Sequence, residues 1–118
     1  MTDLIVSMQG QFYQDAITKA LEQTGNFRIW TLDESSEQPE IALLGVSVRQ
    51  GYTLAERQMV IRELKEKAPK CKIVLFVDEL VAPEQTSGIK NLKQARVIDG
   101  FLYASGTMDY LVATLESI

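Results

Sequence analysis

The sequence predicts an α/β three-layer sandwich: an open, five-stranded and mostly parallel sheet with helices on both faces, in a single domain over residues 1–118. Three observations carry this reading. Short apolar runs alternate with segments of helical periodicity, the order that favours parallel strands joined by crossover helices. No internal repeat or low-complexity linker divides the 118 residues, and that length suits one domain with its own core. The composition, 46% hydrophobic and 24% charged, is that of a globular protein and excludes a disordered tail or a fibre.

Asp3–Met8 (DLIVSM) is almost continuously apolar, as a strand buried on both faces must be. Phe12, Ala16, Ile17, Ala20 and Leu21 follow at helical spacing, with Gly25 placed as a left-handed terminator. Phe27–Leu32 (FRIWTL) alternates, with Phe27, Ile29 and Thr31 on one face and Arg28, Trp30 and Leu32 on the other; it reads as a strand near the sheet edge. Ile41–Val48 (IALLGVSV) is the next buried strand. Thr53 and Glu56 form a capping-box pattern that opens a helix carrying Leu54, Val60, Ile61, Leu64 and Ala68 inward. Lys72–Val77 (KIVLFV) is a third apolar run, and Pro83 starts a helix with Ile89, Leu92 and Ala95 at spacings of three. Val97–Tyr103 gives the fifth strand, and Thr107 caps a last helix with Met108, Leu111, Val112, Leu115 and Ile118 on one side. This is a flavodoxin-like pattern with one irregularity. Only residues 33–40 (DESSEQPE) join the second and third strands, so the second crossover helix is missing or very short. Eight extended residues reach roughly 26 to 30 Å, and stepping over one neighbouring strand needs roughly 20 to 25 Å. A straight crossover is therefore feasible; an antiparallel edge strand is the alternative.

Composition limits the chemistry. Twelve basic and sixteen acidic residues give a net charge of −4, a poor balance for binding duplex nucleic acid directly. There is no histidine, which removes imidazole catalysis and most transition-metal sites. The one cysteine, Cys71, precedes its strand and sits at the rim opposite any site. No apolar run is long enough to span a membrane, and no secretion signal opens the chain. A cytoplasmic, non-enzymatic protein without cofactor or metal is expected.

Reactive groups in an open α/β sheet lie beyond the carboxyl ends of the strands. The rule nominates Ser7–Gly10, residues 33–35, Gly45–Ser47, Asp78–Glu79 and Ala104–Gly106. Here the chain resembles a known family. Pro39–Gly45 (PEIALLG), Leu64–Val77 (LKEKAPKCKIVLFV), Gly100–Thr107 (GFLYASGT) and the Met108–Ile118 helix resemble the receiver (CheY-like) domain of bacterial response regulators. The last two stretches are most similar to the subfamily with a helix-turn-helix output domain. The resemblance implies where the family's phosphorylation residues should stand: an acidic, metal-holding pair near Ser7 and Met8, the phosphoacceptor aspartate at Gly45, a hydroxyl at Asp78 and a lysine at Ala104. None of these positions matches. Without a carboxylate at Gly45 there is no aspartyl nucleophile, and without the acidic pair little holds the metal.

The resulting expectation is a degenerate receiver-like domain, a pseudo-receiver that acts by protein–protein contact. It would be the N-terminal part of a transcription regulator and reach DNA only through a separate output domain. The partner would be a second copy or another signalling protein. Arg28, Trp30, Tyr103, Met108 and Tyr110 are the candidate interface residues, although Met108 at helical spacing also reads as core. The missing helix would leave apolar sheet surface uncovered beside Trp30. Arg57, Arg62, Lys65, Lys67, Lys70 and Lys72 form a basic cluster that reads as a solvated helix face, or else as a dock for an acidic partner. Two other readings stand beside this one: a free-standing adaptor, and a small-molecule or metal sensor using Asp33, Asp78 and Glu79.

Overall fold

The computed structural model describes residues 1–34 and 38–118. Five strands and four helices follow in the order β1 (Thr2–Ser7), α1 (Gln11–Glu22), β2 (Phe27–Trp30), β3 (Ile41–Val46), α2 (Leu54–Lys67), β4 (Lys72–Val77), α3 (Pro83–Gln94), β5 (Gly100–Tyr103) and α4 (Met108–Ser117). The sheet order is β2-β1-β3-β4-β5, and all four pairings are parallel. This is the flavodoxin-like arrangement, and the antiparallel alternative for β2 is excluded by its parallel register with β1, Thr2 opposite Phe27 through Ile5 opposite Trp30.

Strand alternation splits the core into two layers. Leu4, Val6, Leu43, Val74, Phe76 and Leu102 meet Ile17 and Leu21 of α1 and Leu111 and Leu115 of α4. Ile5, Ala42, Leu44, Val46, Ile73, Leu75 and Val77 meet Leu54, Ile61 and Leu64 of α2 and Ile89 of α3. The capping box at Thr53 and Glu56 is formed. Thr53 Oγ1 and the Gly51 amide both donate to the Glu56 carboxylate, holding it below the usual carboxylate range. Gln85 of α3 accepts the Leu54 amide at 2.8 Å, so α3 supplies a second cap to α2.

Several side chains depart from the sequence reading. Phe12 is 81% exposed, and its neighbour Tyr13 turns inward instead, edge-to-face on Phe76. Ala95 is exposed and Met108 stands at the rim rather than in the core. The fifth strand starts at Gly100, because the Asp99 carboxylate accepts the Ile73 amide and the Asp99 amide bonds to the Ile73 carbonyl. The sheet face beside β2 is not left uncovered. Trp30 and Leu32 pack against that layer, Ile5 beneath is fully buried, and the indole N–H reaches Asp3 Oδ1 at 3.1 Å. A side chain on the edge strand thus does the covering that a helix would otherwise supply.

Candidate functional site

Strands β1 and β3 are neighbours, yet β1 runs on into α1 on one face and β3 into α2 on the other. Adjacent strands whose connections leave to opposite faces open a crevice at their carboxyl ends, the expected place for a ligand. Here the crevice holds Arg57. The sequence reading placed this residue in a solvated basic cluster; in the fold it is 2% exposed. Its Nε donates to the Gly45 carbonyl at 2.7 Å, and Nη2 donates to the Ser7 carbonyl at 2.9 Å and to Ser7 Oγ at 3.1 Å. The guanidinium carbon also lies 4.8 Å from the centre of the Tyr52 ring, a cation–π distance.

The missed signal is positional. Arg57 falls one turn after the Thr53 cap, between the inward residues Leu54 and Ile61, and so on the buried stripe of α2. Burial pulls its pKa down, with Tyr52 and Glu56 pulling the other way. Arginine keeps its charge even so, and carbonyl and ring dipoles solvate it in place of water. No carboxylate among the described residues forms an ion pair with it.

Gln9 closes the crevice from the other side. It is 4% exposed, and neither amide atom finds a partner among the described residues. Its carboxamide lies over the Gly45 Cα, where any Cβ on residue 45 would collide with it. A Cβ on residue 45 would force the Gln9 carboxamide to move. Arg49 seals the loop, its Nη1 3.4 Å from the Gln9 carbonyl. Gly10 has a φ of 118°, and a Cβ there would meet the Arg49 guanidinium at 3.3 Å. Gln14 ties the turn back to β1, accepting from the Met8 amide and donating to the Val6 carbonyl, both at 2.8 Å.

The fold brings Ser7, Met8, Gly45, Asp78 and Ala104 to this one end of the sheet. Met8 is buried in the α1–α4 layer. Asp78 is spent on a local turn, accepting the Leu80 amide at 3.0 Å, and Ala104 packs against the α1–α4 layer. Asp33, Glu34 and Glu79 are exposed, while Ser35 lies outside the described residues. Among the described residues, no group of three or more possible ligands converges to hold a metal ion. At the opposite rim Cys71 is fully buried, and burial pushes its thiol up to about 11, the state of an inert cysteine.

The candidate interface residues divide. Arg28 pairs with Asp3 at 3.7 Å and Trp30 is half-buried, both at the β2 edge. Tyr103 and Met108 are 43% and 39% exposed and Tyr110 is 63% exposed. These three join Phe12 around an apolar cavity of about 120 Å³ between α1 and α4, floored by Ile17, Phe76 and Leu111. Among the described residues, no helix is long and apolar enough to cross a membrane.

No protein-family model matches the sequence, and no curated protein does. Solved structures do match in fold. A CheY-like response regulator receiver domain protein from Methanospirillum hungatei JF-1 superposes with a TM-score of 0.74 at 10% identity, over 99% of this chain and 92% of that one. The beryllium-fluoride-activated receiver domain of DrrB gives 0.69 at 19% identity, over 99% and 96%. The RcsB response regulator of Salmonella typhimurium gives 0.74 at 15% identity, over 99% of this chain and 58% of that one. The chain has the receiver-domain fold.

Proposed function

We propose that this chain is a receiver-like regulatory domain that takes no phosphoryl group and performs no catalysis. It acts through protein–protein contact as the N-terminal part of a cytoplasmic transcription regulator. The observation that carries the reading is the Arg57 guanidinium held between the carbonyls of Gly45 and Ser7, with the Gln9 carboxamide over Gly45. A tethered cation stands where an exchangeable metal would need carboxylates, and Gly45 offers no nucleophile. The regulator reading draws on RcsB, whose matched part is 58% of its chain, and on DrrB, described as an OmpR/PhoB homologue from Thermotoga maritima, whose matched part is 51%.

Backbone amide NMR with Mg²⁺ and beryllium fluoride tests the first half. Shifts around Ser7, Gly45 and Asp78 should stay in place; a cluster of changes there would overturn the reading. The intact mass of the native protein tests the second half, with a product longer by an output domain expected.

A further inference from the structure

We propose that the groove between α1 and α4 binds helix α2 of a second copy of this chain, head to tail, so that the domain self-associates in open rows. The inference rests on the interaction reading above and names its partner. One side of the contact is apolar and acidic. Phe12 and Tyr110 stand 81% and 63% exposed beside a cavity with no charged residue in its lining. Met108 also borders a neighbouring pocket between the same two helices, lined by Ala20, Val112 and Ala113 together with Asp109 and Glu116. The charged residues of α4 are Asp109 and Glu116, the latter also accepting from Asn26 Nδ2 at 2.6 Å; on α1, Lys19 is the one base.

The other side is basic and carries an apolar knob. Met59 is 61% exposed on α2, and methionine adapts its shape to irregular apolar surfaces. Arg62, one turn on, continues the exposed ridge towards Lys70. Residues 62–72 carry Arg62, Lys65, Lys67, Lys70 and Lys72 against Glu63 and Glu66.

Charge decides between the two ways a second copy could cover the groove. A two-fold contact, groove on groove, would bring together two surfaces of the same sign, with Asp109 and Glu116 of α4 on each and only Lys19 of α1 to offset them, which costs free energy. Groove on helix sets them against the basic end of α2 and seats Met59 in the apolar cavity. Helices α2 and α4 flank opposite faces of the sheet, so this contact is heterologous and leaves a free groove and a free helix at the two ends of every row.

Sedimentation of the chain across micromolar concentrations tests this. Mass should grow with concentration past the dimer, and salt should weaken the growth. Phe12→Glu and Met59→Glu should each weaken self-association about tenfold or more. Both side chains lie outside the core, so thermal unfolding should be unchanged and loss of fold is separable. Mixed in equal amounts, the two blocked variants retain one intact groove and one intact helix, so they should pair once and stop at a heterodimer. A chain that stays monomeric, a ceiling at the dimer, or a mixture that stays monomeric overturns the inference. None of these touches the beryllium fluoride result, so the regulatory reading stands or falls separately.

Discussion

The crevice between β1 and β3 and the groove between α1 and α4 treat their side chains in opposite ways. The crevice, where an open α/β sheet ordinarily offers room for a ligand, is filled by Arg57 and Gln9, both nearly inaccessible. The groove, which packing alone would close, exposes Phe12 and Tyr110 around an apolar cavity. Polar groups are thus spent inside and apolar surface is spent outside. In the proposed reading the crevice holds the fold and the groove is the surface that meets a second copy.

The largest effect should come from the crevice. Arg57→Ala removes three hydrogen bonds and strands the Gly45 and Ser7 carbonyls; a loss of roughly 3 kcal/mol is expected in urea unfolding. Arg57→Lys should recover little of it, since an ammonium lacks the planar fork that reaches both strands. A loss near zero would remove the crevice from the comparison. Next, Gly45→Ala should cost roughly 1 to 3 kcal/mol through its collision with Gln9. The cost should fall in a Gln9→Ala background, a coupling of about 1 kcal/mol or more in a double-mutant cycle. Additive effects would mean that the two residues do not share that space. The smallest effect on stability belongs to the groove. Phe12→Ser should change unfolding by no more than about 0.5 kcal/mol while reducing self-association; a larger destabilisation would make Phe12 part of the fold and erase the contrast.

Legibility in the sequence followed the same division. The β4 boundaries and the capping box at Thr53 and Glu56 were readable because each is set by neighbours within a few residues. Phe12 was misread because helical spacing gives a stripe without saying how wide the facing sheet is; α1 covers it with Ile17, Leu21 and Tyr13 and leaves Phe12 over. Arg57 was misread for the opposite reason. A charged residue on a buried stripe is satisfied by carbonyls 12 and 50 positions away, and nothing local announces them. The want of a second crossover helix was legible, and among the described residues no helix joins β2 to β3; that Trp30 and Leu32 would pack over that face was not, since covering depends on how far a ring reaches across β1.

The sequence by itself determined the alternation of strands and helices and the absence of a carboxylate at position 45, because periodicity and residue identity are local; the parallel pairing of β2 with β1 was settled only by the fold. Only the tertiary structure decided that Arg57 would sit between β1 and β3, that Gln9 would lie over Gly45, and that the exposed rings would gather between α1 and α4. Those three depend on which carbonyls, Cα atoms and helix faces are brought within a few ångströms, and that proximity exists only once the sheet has closed in the order β2-β1-β3-β4-β5.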